Sequence, residues 1–353
     1  MLCNSMTMRS KNYAQRASAA ALSLLLMISA VCLPSCNGAK TVYTASYFDV
    51  FDTVVTVSGS SDSREEFNAL CELIHSELMK YHRLFDIYNG YEGINNLKTI
   101  NDAAGSGEAV KVDREIIEFL DMCALYEDRS GGKLLVTSGA LLRLWHDYRE
   151  AGVALPSQQE ITEATLHISS DVLVIDGENS TVMLTDKGAS IDVGAVAKGY
   201  AVQNAADAAR DAGADSLMIN AGGNVVTVGC RPDGEKWQIG IDNPITRERV
   251  VVRCSDASVV TSGNYERYYV VDGEKYHHII DPHTGYPAEG FSSVSVIARS
   301  SVDADALSTS LFLMGLDEGL ALIEGLEDCE AMWIDCDGRV ICSSGWGEYE
   351  KGE

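Results

Sequence analysis

The second half of the chain constrains the fold most. From residue 165 onward, β-branched runs follow one another with glycine turns between them: "DVLVIDG", "TVMLTDKG", "ASIDVG", "SLMINAGGNVVTVG", "WQIGIDNP", "RVVVRCSDASVVTSG" and "FSSVSVIARS". Two helical segments interrupt them: residues 195–213, rich in Ala and stopped by Gly, and residues 302–325, broken near Gly315. "EAMWIDCDGRVICSSG" closes the chain as a hairpin. Upstream, residues 47–59 read as a strand. Residues 63–88 read as a helix with a Ser-x-x-Glu capping signal, residues 113–132 as a helix closed by two glycines, and residues 138–149 as a short helix. Strands and helices mix without regular βαβ alternation. This predicts an α+β fold, a mixed, largely antiparallel sheet with packed helices.

The ends divide the 353 residues further. Arg9, Lys11 and Arg16 precede an apolar run, "AAALSLLLMISAV", of about 13 residues, too short for the roughly 20 that span a bilayer. The run ends in "LPSC", which looks like a bacterial lipobox with an unusual Pro34. An ordinary signal peptide cut nearby is the other reading. Both place the mature chain outside the cytoplasm, and a lipid on Cys36 would anchor it to a membrane. The expected organisation is a signal segment over 1–35, a linker over 36–46, one domain over 47–347 and a tail over 348–353. The formal net charge of −25 disfavours nucleic acid as a partner. It also means that a phosphate-bearing ligand needs a local cation or a nest of N–H groups. Seven cysteines beyond Cys36 are scattered and show no CxxC pair, so most are expected to be buried small hydrophobes. Cys336 and Cys342 flank a hairpin and are expected near one another.

Four segments have the residue types for chemistry. In 302–314, Asp305 and Thr309 are four apart and share one helical face, giving hard oxygen donors that suit Mg²⁺. The alternative is that Asp303 or Asp305 caps the helix and Thr309 packs inside. In "SIDVGAVAKGY", Asp192 ends a strand and Lys198 lies in the first turn of a helix whose N–H groups suit a phosphate. A plain strand–helix connection with Asp192 at a cap is equally open. "NAGGN" reads as a glycine hairpin turn before an anion nest, and "GALLRLW" as core before cofactor contact. "HHIIDPHTGYP" reads as a strand ending in a turn. It could also offer a histidine as base.

Taken in order, these pieces resemble a known family. "FDTVVTV", "SGGKLLVTSGALLRLW", "SIDVGAVAKGYAVQNAA", "INAGGNVVTVG", "HHIIDPHTGYP" and "DADALSTSLFLMG" are similar to the FAD:protein FMN transferases, or ApbE-like proteins, over roughly residues 46–345. The most specific pieces are D-x-G-x-x-A-K-G-Y, H-[IL]-[IL]-D-P-x-T-G and A-D-A-L-x-T. The resemblance implies FAD as substrate and Mg²⁺ on its pyrophosphate. A Thr or Ser hydroxyl of an acceptor flavoprotein with a D-G-x-[ST]-G-A-T-like motif would take FMN, and AMP would leave. It further implies Asp305, Thr309 and the Ala195 carbonyl as metal ligands. Asp192, Lys198, Ile279, Tyr88 and Phe51 would be FAD contacts, and His278 the base. The chain departs from the pattern in three places. Phe51-Asp52-Thr53 replaces Met-Gly-Thr, Lys133-Leu134-Leu135 replaces small-Phe-Asp at the flavin site, and Gln203 replaces Asp. Lys133 is then expected as a substitute phosphate or adenine contact. An FAD pyrophosphatase, with water as acceptor, and a flavin-binding lipoprotein without turnover are the alternatives.

Overall fold

The computed structural model describes residues 41–350. The signal segment, Cys36 and the last three residues of the tail lie outside the described residues. The strands are β1 (Thr41–Val50), β2 (Thr53–Ser61), β3 (Val110–Lys111), β4 (Leu173–Asp176), β5 (Thr181–Leu184), β6 (Ser216–Ala221), β7 (Asn224–Gly229) and β8 (Trp237–Asp242). They continue with β9 (Arg249–Cys254), β10 (Ser258–Gly263), β11 (Tyr268–Val271), β12 (Glu274–His277), β13 (Phe291–Ala298), β14 (Glu330–Asp335) and β15 (Val340–Cys342). The helices are α1 (Arg64–Leu84), α2 (Leu97–Asp102), α3 (Arg114–Arg129), α4 (Gly139–Ala151), α5 (Gln158–Thr165), α6 (Ala197–Asp211), α7 (Ser301–Met314), α8 (Leu316–Ile323) and α9 (Gly347–Glu350).

The expected α+β architecture is what forms. Eight strands make one sheet in the order β1-β2-β6-β7-β10-β13-β14-β15, and each neighbouring pair is antiparallel. Helices α1, α6 and α7 line one face, and the β8–β9 hairpin covers part of the other. Strand β13 is therefore buried along its whole length. Val294, Val296 and Ala298 join the helix-side core, while Ile297 joins the hairpin-side core. Each fully buried aliphatic or aromatic side chain there contributes about 1.5–3 kcal/mol relative to exposure. Helix α7 is buried almost all round, its Ser301, Asp305, Ser308 and Ser310 included, because it lies between the sheet and α6.

Several boundaries differ from the sequence expectation. Residues 41–46 are the first half of β1, paired with β2, and not linker. Residues 47–59 form a hairpin and not one strand: Phe51 and Asp52 sit at φ 53° and 50°, a two-residue left-handed turn. The usual Asn-Gly or Asp-Gly signal is absent there. What holds the turn is the Phe51 N–H, which donates to His82 Nδ1 at 3.2 Å. Residues 189–194 form no strand. Residues 348–350, expected as tail, lie in α9. Ser63 caps α1 by accepting from the Glu66 N–H at 3.2 Å, but the Glu66 carboxylate bonds Ser61, so only half the capping box forms. Among the seven described cysteines, Cys71, Cys123 and Cys254 are buried, Cys230 and Cys329 are half-buried, and Cys336 and Cys342 are exposed. All seven are free thiols, so the expected burial holds for fewer than half of them. No described helix is long and apolar enough to cross a membrane.

Candidate active site

Three chain segments meet at the helix-side end of β10 and wall one cavity. The first is the loop 192–196 and the start of α6, which bring Asp192, Ala195 and Lys198. The second is α7, which brings Asp305 and Thr309, and the third is the turn after β12, which brings His278 and Ile279. Tyr88, Lys133, Leu134 and Leu135 also line the cavity. Of the sequence-derived site residues only Phe51 does not. Its ring lies edge-on to His82 behind the wall, and the neighbouring Thr53 faces the cavity in its place.

The capping alternatives resolve locally. Ser300 caps α7 by accepting from the Val302 N–H at 3.1 Å, so neither Asp303 nor Asp305 does. Asp303 instead accepts from the Tyr126 hydroxyl. Asp192 is no cap either, since α6 begins five residues later; its Oδ1 accepts from the Gly194 N–H at 2.9 Å.

Asp305 is 3% exposed, and its Oδ2 accepts from the Gly199 N–H at 2.7 Å. Burial pushes its carboxyl up from the ordinary carboxylate value, opposed by the Lys198 charge and the Gly199 N–H. Asn224 Nδ2 is directed toward it without closing a hydrogen bond, while Asn224 Oδ1 accepts from Ser301. Thr309 Oγ1 lies 3.1 Å from Ser262 Oγ. One buried carboxylate, one hydroxyl and the nearby Ala195 carbonyl are hard oxygen donors. Such a set of oxygen donors fits a small divalent cation such as Mg²⁺. Clusters of three or more His, Cys, Asp or Glu suited to a metal are absent among the described residues.

The close approach of α6 to α7 depends on Gly199. A Cβ at that position would lie 2.4 Å from both Asp305 Cβ and the Ser301 carbonyl oxygen. Gly199→Ala is expected to cost about 1–3 kcal/mol and to weaken Mg²⁺ binding by displacing the carboxylate. Thermal melts and calorimetric Mg²⁺ titration check both effects.

His278 is half-buried. Burial pushes its imidazole down to about 3, helped by the charges of Arg267, His277, Arg149 and Lys198. Its Nδ1 is buried without a hydrogen-bond partner among the described residues, so the ring is neutral near pH 7 with a free nitrogen. Asp192 is pushed up by burial, with the Gly194 N–H opposing.

Lys133, expected as a substitute phosphate or adenine contact, lines the cavity and is ion-paired. Its Nζ lies 2.6 Å from Asp281 Oδ2, an ion pair tying the cavity wall to the His278 turn. Asp281 thus does more than shape its turn. "GALLRLW" proves both core and lining. Leu141 is buried, but Leu142 and Trp145 face the cavity, and the Trp145 Nε1–H donates to the Gly285 carbonyl at 2.8 Å. "NAGGN" is the expected hairpin turn, and its Gly222 and Asn224 also line the cavity. Sequence reading missed His146, Arg149 and Arg267, which line the cavity; the two arginines bring positive charge to the His278 side. Isolated basic residues outside any motif carry no signal of spatial convergence. Arg149 at least follows "GALLRLW" on the same helix.

Known proteins are similar to this chain in sequence and fold. The model of the ApbE family matches residues 50–333. An FAD:protein FMN transferase of Treponema pallidum is 34% identical over 268 residues, 70% of this chain and 73% of that one. One from Klebsiella pneumoniae is 30% identical over 273 residues, 74% of this chain and 84% of that one. The crystal structure of the ApbE protein of Thermotoga maritima superposes with a TM-score of 0.80 at 30% identity, covering 88% of this chain and 100% of that one. The matched span contains every wall of the cavity, and the chain belongs to the ApbE family.

Proposed function

We propose that this protein is a Mg²⁺-dependent FAD:protein FMN transferase acting on a Thr or Ser hydroxyl of an acceptor flavoprotein. The observation that carries the reading is the meeting in one cavity of Asp305 and Thr309, Asp192 and Lys198, and His278 with its free nitrogen. Asp305, Thr309 and the Ala195 carbonyl would hold the metal. When bound, Mg²⁺ neutralises charge on the FAD pyrophosphate and the departing AMP. Lys198, at the N-terminal turn of α6, adds a full charge and the helix dipole for the same phosphates. This local cation is what an otherwise acidic chain needs to hold an anionic substrate.

In the reaction, the acceptor oxygen bonds to the FMN-side phosphorus and the bond from that phosphorus to the AMP oxygen breaks. The hydroxyl proton passes to His278, which burial holds in the neutral form that can accept it. Ile279 and Leu134, both buried and facing the cavity, offer apolar surface to the flavin and exclude water. Where the family pattern has Phe-Asp, Leu134-Leu135 supplies aliphatic packing without a carboxylate.

The lipobox-like "LPSC" supports export and anchoring through a lipid on Cys36, outside the cytoplasm. With β1 starting at Thr41, the catalytic body would sit close to that membrane surface. The test is to incubate the protein with FAD, Mg²⁺ and an acceptor carrying a D-G-x-[ST]-G-A-T-like motif. FMN covalently on the acceptor, with one AMP per transfer, is the expected result. Free FMN and AMP with no labelled acceptor would support the pyrophosphatase instead, and bound intact FAD would support a carrier without turnover.

A further inference from the structure

We propose that His277 is a positioning residue for this reaction: its ring locks the backbone that aims His278 into the cavity. The inference rests on the reading of His278 as the base. His277 is the last residue of β12 and pairs with Tyr268 of β11. Beyond it the chain leaves that ladder. The His278 N–H is still taken by the Arg267 carbonyl at 3.0 Å, but the N–H of the buried Ile279 finds no strand partner. His277 supplies one from its own side chain. Its Nδ1 accepts from the Ile279 N–H at 3.2 Å, and its Nε2 lies 2.8 Å from the Ala288 carbonyl oxygen.

Both partners are backbone groups with fixed roles, so the tautomer is determined: Nε2 carries the hydrogen and Nδ1 is the acceptor. The ring thereby joins the two arms of the turn at their neck. The Ala288 N–H donates to the Ile279 carbonyl at 2.9 Å, closing the same neck from the other side. The edge of the ring packs on Phe312 of α7, the helix that carries Asp305 and Thr309. His277 therefore fixes the peptide joining His278 to Ile279 relative to the metal-side helix. A free carbonyl or solvent would serve the Ile279 N–H without setting that geometry.

The test compares three substitutions in the FMN-transfer assay, with FAD affinity and thermal melts measured alongside. His277→Phe keeps the ring and the contact with Phe312 but neither hydrogen bond. It is expected to lower kcat about a hundredfold while FAD affinity stays near that of the parent. His277→Asn places an oxygen where Nδ1 stands and is expected to keep most of kcat. His277→Gln can reach Ala288 but not Ile279 and is expected to resemble Phe; it decides the matter if the Phe variant does not fold. Wild-type kcat in the Phe and Gln variants overturns the proposal, as does an Asn variant as slow as they are. A fall in kcat matched by an equal loss of FAD affinity would mark a structural role only and also overturn it. His278→Gln serves as the control. If it retains activity, the base assignment fails by itself; if it is inactive while the His277 variants are normal, only the positioning role fails.

Discussion

Asp305→Asn gives a folded protein in which Mg²⁺-dependent FMN transfer falls by roughly a thousandfold or more, the scale of losing a principal electrostatic contact to the reacting phosphate. The substitution is chosen to separate charge from shape. An amide oxygen still accepts from the Gly199 N–H, so the α6–α7 contact survives. What disappears is a carboxylate that is 3% exposed and has no ion-pair partner among the described residues. Isolated buried charge is costly, so the metal-free variant melts no lower than the parent. Calorimetric titration should show Mg²⁺ binding lost, and the transfer assay should show turnover lost with it. Unchanged turnover at saturating Mg²⁺ would remove Asp305 from the metal site.

His278→Gln lowers kcat by about 10²–10⁴, the usual contribution of a positioned general base, with FAD affinity retained. The pH dependence carries a sign that can be checked. Burial lowers the His278 pKa from 6.5 to about 3, so the folded protein binds a proton there less readily than the unfolded chain. The associated stability is fully present above pH 6.5 and is lost as pH falls from there toward 3. His277, also pushed down by burial, acts in the same direction. Chemical denaturation across that range should show the parent losing stability on acidification more steeply than the Gln variant. On the kinetic side, the acid limb of kcat/KM set by this base should lie well below the ordinary histidine range. A limb near 6.5 that persists in the Gln variant would place the base elsewhere.

The sheet and its helices were legible because their signals are local. Residues 195–213 and 302–325 carry helical periodicity with glycine stops, and α6, α7 and α8 follow them, including the break at Gly315. The β1–β2 turn was not legible, because Phe51-Asp52 adopts a left-handed turn without the glycine that announces one. Its support comes from His82, 31 residues away. The site divides in the same way. Asp192, Lys198, His278 and Asp305 lie in motifs with fixed order, and the cavity contains them all. The pairing of Lys133 was not legible, because its partner Asp281 is 148 residues distant and only the folded chain brings them together. Arg149 and Arg267 have the same character, since their charges matter through convergence and not through spacing. His277 could be read only from hydrogen bonds, as no pattern of residue types marks a side chain that completes its own strand.

The hydrogen bond from Gly199 to Asp305 joins residues 106 positions apart, and β10 enters the sheet between them. No single element or short piece of the chain contains the walls of the cavity, which are drawn from Thr53 to Leu313. Long-range closure of this kind comes late and slowly, after the loop entropy of the intervening segments has been overcome. A partly folded chain therefore has no partial cavity in which a ligand could be held. Once the sheet has closed, any ligand of the cavity binds only the finished form and draws the folding equilibrium toward it.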